Sequence, residues 1–180
     1  MKWFIKCFKQ YADFEGRARR KEYWWFWLIY LIVTVALIIG WLAPIVKMAA
    51  TTSSADELDE MEFYGLMLDN LANPFLIIWL LFYLATLIPG IAVSVRRLHD
   101  IGKSGWWYLL PLGTSLLNSV AELLDESHIG LTLILMLISL GASILFLVWM
   151  FTDSQYGPNQ WGPNPKGEGN PTEEQNTLEP

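Results

Sequence analysis

Cysteine and histidine are scarce in this sequence of 180 residues, which has one of the first and two of the second. Cys7 has no second cysteine to pair with, which excludes an internal disulfide, and with only His99 and His128 beside it no metal site is expected. Charge is the next shortage. Asp, Glu, Lys and Arg make up 17% of the chain, and three long stretches contain none of them: 23–46 (YWWFWLIYLIVTVALIIGWLAPIV), 74–95 (PFLIIWLLFYLATLIPGIAVSV) and 129–151 (IGLTLILMLISLGASILFLVWMF). A fourth, 106–124, carries only Glu122. With 53% hydrophobic residues in such blocks, too little polar sequence is left to cover four buried helices in water.

What is present instead is membrane-spanning sequence. Each block approaches or exceeds the roughly 20 residues that an α-helix needs to cross a hydrocarbon core of ~30 Å. Helices are the natural choice because a backbone in lipid must satisfy its own hydrogen bonds. The first block is longer than a secretory apolar region of roughly 7–15 residues, and Ala43-Pro44-Ile45-Val46-Lys47 offers no small-residue cleavage site, so it reads as a retained span. The expected fold class is an all-α membrane protein: a four-transmembrane-helix bundle with spans at about 23–46, 74–95, 106–124 and 129–151. An N-terminal interfacial amphipathic helix at 2–14, a turn motif at 152–169 and a disordered C-terminal tail at 170–180 complete it.

The formal net charge of −6 hides a strong asymmetry. Lys2, Lys6, Lys9, Arg17, Arg19, Arg20 and Lys21 precede the first span, and Arg96, Arg97 and Lys103 lie between the second and third. The connection 47–73 has Lys47 alone against Asp56, Glu57, Asp59, Glu60, Glu62 and Asp69, and the connection between spans three and four has no basic residue. Basic residues in short loops stay on the cytoplasmic side. Both termini are therefore expected in the cytoplasm, with Cys7 on the reducing side and His128 opposite His99.

In KWFIKCFKQYADF (2–14), Lys2, Lys6, Lys9 and Asp13 recur at helical spacing opposite Trp3, Phe4, Cys7, Phe8 and Tyr11, the pattern of a helix lying among lipid headgroups or packed on protein. Ser54-Ala55-Asp56-Glu57 matches a capping box, and Leu58, Met61, Leu68 and Leu71 fit one face of a short interfacial helix. After 152 the chain turns Gly-, Pro- and Asn-rich, with an echo, Gln155-Tyr-Gly-Pro-Asn and Gln160-Trp-Gly-Pro-Asn, whose turns the aromatics would anchor at the membrane surface.

Three motifs near the middle invite chemistry. Gly102-Lys103-Ser104 resembles a phosphate loop, but the first glycine of that motif would fall at Arg97 and the preceding element is a span, not a strand. His99 and Asp100 are adjacent, so on a helix their side chains diverge by about 100°, and no catalytic residue is expected. Asp100 is expected to pair with Arg96 at i, i+4 or with a basic residue of the N-terminal segment. The remaining candidate is a basic and aromatic collar on the cytoplasmic side. Arg17, Arg19, Arg20, Arg96, Arg97, His99 and Lys103 are its candidate headgroup- or phosphate-binding residues, since arginine forks bind phosphate bidentately. Topology and an aromatic belt account for the same residues without a ligand. Within the spans, Thr114, Ser115, Asn118 and Ser119 are expected to face the bundle, and no mid-depth acid marks a transport pathway.

Three segments, FEGRARRKEYWWF (14–26), VRRLHDIGKSGWWYLLP (95–111) and NQWGPNPKG (159–167), together resemble the bacterial inner-membrane proteins of the DUF805 family (domain of unknown function 805), the YhaH/YhaI-like proteins. The resemblance covers about 11–167, and the long acidic connection 47–73 departs from it. It implies a small polytopic inner-membrane protein and supplies no activity or catalytic residue. The function expected is that of a non-enzymatic membrane component without cofactor, whose collar binds anionic lipid headgroups or a partner protein; self-association is open and nucleic acid is not expected as a partner. The alternatives are a membrane enzyme acting on a lipid headgroup through His99 and Asp100, and a small transporter.

Overall fold

The computed structural model describes residues 2–52, 60–122 and 129–171. The capping box at 54–57, Leu58, His128 and the tail 172–180 lie outside the described residues. The described chain is helical: α1 (Lys2–Lys9), α2 (Arg20–Thr52), α3 (Glu60–Leu71), α4 (Pro74–Asp100), α5 (Leu109–Glu122) and α6 (Ile129–Phe151), with a 3₁₀ turn at Gly105–Tyr108. Helices α2, α4 and α6 are long and apolar enough to cross a membrane. Their outward aliphatic side chains are bare, with Ile39 64%, Leu81 62% and Leu137 69% exposed. Contiguous apolar surface of that kind marks a membrane or partner surface, and lipid is the solvent that these helix lengths fit.

The chain divides into two compact units, Phe26–Ile88 and Met1–Trp25 with Pro89–Pro180. In the first, α2 and α4 run antiparallel. Tyr30 stacks on Phe82 with ring centroids 5.7 Å apart, and ten residues further along α2 the Gly40 backbone lies against Phe75. A methyl group on Gly40 would sit 2.5 Å from that ring. Asn73-Pro74 starts α4 as its sequence dictates: the Asn73 side chain accepts from Phe75 N at 3.0 Å, and Pro74 takes the first helical position, where its missing N–H costs nothing. Helix α3 exposes Met61, Leu68 and Leu71, three of the residues expected on its apolar face.

In the second unit, α5 and α6 also pack antiparallel. Trp107 meets Trp149 edge-on at 5.3 Å, and near the other end Asn118 Nδ2 donates to Ser139 Oγ at 2.6 Å. Of Thr114, Ser115, Asn118 and Ser119, Asn118 alone reaches α6 among the described residues. Thr114 is buried but bonds back to Leu110 O, while Ser115 and Ser119 are exposed and bond to Pro111 O and Ser115 O. A small hydroxyl in a helix satisfies itself on the carbonyl four residues earlier, so it need not seek an interior. The described α5 has 14 residues, roughly 21 Å at ~1.5 Å per residue, and the 3₁₀ turn precedes it.

Helix α1 is shorter than the pattern 2–14 suggested. Asp13 accepts from Glu15 N at 3.1 Å and Gly16 takes φ +77°, so a local side-chain turn and a left-handed glycine displace the last helical turn. One side of α1 packs on protein: Cys7 is buried, and Lys6 reaches the buried Glu22 at 2.9 Å.

Candidate functional site

The site grows from the end of α4. Residues 92–94 and 96–100 are all buried, so both arginines and Asp100 of the run VRRLHD (95–100) enter the interior of the unit. Gly102, at φ +77°, stops the helix. Its N–H donates to His99 O at 3.1 Å and that of Lys103 to Leu98 O at 2.9 Å, the paired bonds of a Schellman stop. A methyl group on Gly102 would lie 2.7 Å from Gln155 Oε1, so the glycine also admits the tail.

Asp100 is fully buried and accepts from three side chains: Arg17 Nε at 3.1 Å, Ser154 Oγ at 2.6 Å and Arg97 Nη1. The sequence left its partner open between Arg96 and the N-terminal segment. The second holds, through Arg17, and Arg97 joins at i, i+3. Two guanidiniums around one carboxylate leave an excess positive charge, and backbone carbonyls absorb it. Arg17 donates to Gln155 O at 2.6 Å and to Gly157 O at 2.7 Å. Arg97 donates to Met150 O at 3.4 Å and to Thr152 O, and Arg20 donates to Phe151 O at 3.1 Å. Those last acceptors are the free carbonyls at the C-terminus of α6, where the helix dipole favours cations. A buried ion pair is stable only when its remaining donors and acceptors are bound in this way.

The other candidates have separate surroundings. Arg96 points elsewhere than Arg97: it donates through Nη1 to Asp13 O and, at 3.5 Å, to Gln10 O. Its Nε and Nη2 are buried and make no hydrogen bond among the described residues. Near it, burial pushes the Cys7 thiol up to about 11 and the Arg96 charge partly opposes the shift. Arg19 donates to Pro165 O. Arg20 also meets Asp153 at 3.0 Å. The Asp153 carboxyl is held below its usual value by the Lys166 ammonium at 2.5 Å, by the Ser154 N–H and by Arg20. Lys103 lies over the Trp149 ring at 4.4 Å, a cation–π contact apart from the arginines. His99 lies flat on Trp161, with centroids 4.6 Å apart, and pairs through Nδ1 with Gly16 O at 3.3 Å. The acceptor is a carbonyl, so Nδ1 carries the proton. His99 and Asp100 thus address different partners and do not converge.

The tail supplies most of what the sequence reading missed. Its two Gly-Pro-Asn copies aim at one target: Gly157 O and, more distantly at 3.4 Å, Gly162 O both accept from Arg17 Nη1. The two asparagines hold the copies in place, Asn159 donating to His99 O at 2.9 Å and Asn164 to Gln155 O and Glu168 O at 3.2 and 3.1 Å. Asn170 closes the turn on Asn164 with reciprocal bonds of 2.7 and 2.9 Å. Of the aromatics expected at the membrane surface, Trp161 stacks on His99 and Tyr156 is exposed. The five-residue echo was the available signal, but a repeat gives no direction for its carbonyls.

Apolar helices of spanning length, joined at one end by buried and compensated charge, define an integral membrane protein of helical type. A family model described as "Protein of unknown function (DUF805)" matches residues 11–163, and the chain belongs to that family. Among its relatives, "Inner membrane protein YhaI" of Escherichia coli (strain K12) is 35% identical over 115 residues, covering 61% of this chain and 70% of the relative. "Inner membrane protein YhaH" of the same strain is 36% identical over 110 residues, covering 61% and 72%. No solved structure matches the chain.

Proposed function

We propose that the protein is a non-enzymatic, multi-pass component of the bacterial inner membrane whose basic end is a scaffold facing the cytoplasm and anionic lipid. One observation carries the reading: every arginine on Asp100 is bound within the protein, so this charge is a structural joint and not a reaction centre. A general acid or base must reach a substrate proton; Asp100 is fully buried and bound by three donors. A transport path through Thr114, Ser115 and Asn118 lacks support for a similar reason, since the hydroxyls close on their own helix.

Four crossings are the topology that the site favours. The antiparallel partnership of α5 with the spanning helix α6, from Trp107–Trp149 to Asn118–Ser139, carries α5 into the same apolar layer. An even number of crossings, with basic residues concentrated at 2–21 and 96–103, supports a cytoplasmic side for both termini.

Of the seven candidate headgroup residues, Arg17, Arg96, Arg97 and His99 are buried. Lipid contact therefore falls to the exposed Lys2, Lys9 and Lys21, with the half-exposed Arg20 and with Lys103. Helix α1, with its lysines beside the Trp3 ring, suits the headgroup layer. Native mass spectrometry of the detergent-extracted chain tests this reading. Changing Lys2, Lys9 and Lys21 to Gln should lower the co-purified anionic lipid by several-fold in a correctly inserted protein, and unchanged lipid content would refute it.

A further inference from the structure

Beside His99 the second unit holds a cavity of about 480 Å³, within the ~300–1,000 Å³ typical of small-molecule sites. Phe14, Ile91, Val95, Trp106 and Tyr108 supply its main walls, and His99 contributes its one imidazole. Glycine at 105 keeps the cavity open: a methyl group there would sit 2.7 Å from Val95 and 3.4 Å from His99 Nε2. His99 is nine-tenths buried, and its Nδ1–H is committed to Gly16 O. Nε2 is then a lone-pair acceptor, and it makes no hydrogen bond with any described residue. An acceptor of this kind, reachable from an apolar cavity, suits a ligand that brings a donor.

Three features restrict the ligand. No Lys, Arg, Asp or Glu lines the cavity, so a phosphate or carboxylate head would enter without a counter-charge. Aromatic and aliphatic walls suit a flat, uncharged ring. Two of its lining residues, Leu109 and Trp106, are 48% and 79% exposed on the apolar flank at the start of α5, the side on which an attached tail would meet hydrocarbon. We infer that this cavity binds the hydroxylated ring of an uncharged lipid-soluble phenol or hydroquinone, the ring O–H donating to His99 Nε2 and the tail leaving past Leu109. The site is separate from the lipid-headgroup surface, which the ammonium groups of Lys2, Lys9 and Lys21 define, and the two readings can fail independently.

The test is titration calorimetry of the full chain in detergent with para-decylphenol and with its methyl ether, which keeps the ring and tail but cannot donate. The phenol should bind once per chain and about tenfold more tightly than the ether, the worth of one hydrogen bond. His99→Phe should bring the two ligands to equal affinity, and Ile91→Trp, which fills the cavity and leaves His99 in place, should weaken both by at least about tenfold. Either variant decides if the other fails to fold. Equal binding of phenol and ether by the unaltered chain, uptake that never saturates, or folded variants that bind as the unaltered chain does would each overturn the proposal. So would displacement of the phenol by phosphatidylglycerol but not by phosphatidylcholine, which would make the occupant a charged headgroup.

Discussion

Helix α4 passes through both compact units, and its two halves obey different rules. Between Pro74 and Ile88 it shows lipid-type surface: Ile77, Ile78, Leu81 and Leu84 are all half-exposed or more, and the inward contacts are ring on ring or ring on glycine. From Pro89 to Asp100 it is nearly all buried, and the buried set includes two arginines and an aspartate. Lipid removes the hydrophobic reason for helices to associate, so the first half relies on close van der Waals fit at small residues. The second half meets the ends of other segments, whose free carbonyls and charges must be bound. One helix thus joins a part held by shape to a part held by charge.

The largest effect should come from the charged half. Asp100→Ala leaves Arg17 and Arg97 buried without their carboxylate, and removing one partner of a buried pair typically costs about 3–5 kcal/mol. Thermal unfolding in detergent should show the loss. Cys7 offers a local reporter, because its thiol, held at about 11, is neutral and shielded at pH 8. Alkylation there should be slow in the unaltered chain and fast in the variant. The sign follows from the raised value: the folded thiol stays protonated where an unfolded one begins to ionise, so its contribution is intact below about pH 9 and is lost as the pH rises toward 11. Equal stability of the two proteins would mean that Asp100 is not the joint.

The shape-held half should respond to bulk and not to charge. Gly40→Val drives a side chain into the Phe75 ring and should cost about 1–3 kcal/mol, the range for overpacking. Gly102→Ala tests the stop between α4 and the tail. It forces a left-handed backbone on alanine, about 1–2 kcal/mol, and crowds Gln155, so the loss should also show as faster proteolysis after Thr152. Smaller again is Asn118→Ala, which removes one interhelical hydrogen bond, worth about 0.6 kcal/mol on average inside membranes.

The two halves also differ in how far the sequence discloses them. Spans announce themselves by length and missing charge, and α2, α4 and α6 appear where the uncharged runs lie. The boundaries moved for a physical reason: Arg20 and Arg97 look like loop residues by hydropathy, yet both sit on helices because carbonyls at the end of α6 receive them. The joint itself combines residues 83 and 54 positions from Asp100, Arg17 and Ser154, and no local spacing encodes such a meeting. An acidic partner for the arginines was foreseeable. That the tail would fold back and offer its Gln155 and Gly157 carbonyls was not, because turn-forming residues say where a chain bends and not what it bends around.

Asp153 provides the sharpest control, since it has the same chemistry as Asp100 in the opposite setting. Each carboxylate meets a basic residue of the 16–21 segment, Arg17 for Asp100 and Arg20 for Asp153, and each takes a second cation, Arg97 or Lys166. The Asp153 side chain is 56% exposed, whereas that of Asp100 is fully buried. Water competes for an exposed pair, so Asp153→Asn should leave the unfolding temperature almost unchanged where Asp100→Asn lowers it clearly. The lowered pKa sets the pH window: whatever Asp153 contributes is complete above its ordinary value of 3.8 and fades only as acid titrates the folded carboxylate below that. Unfolding scans of the unaltered and Asp153→Asn proteins should therefore coincide near neutrality, and they should stay close to each other down to about pH 4. Matched losses for the two aspartates would show that burial is not what separates joint from surface pair, and the contrast between charge-held and shape-held halves would have to be redrawn on contact number alone.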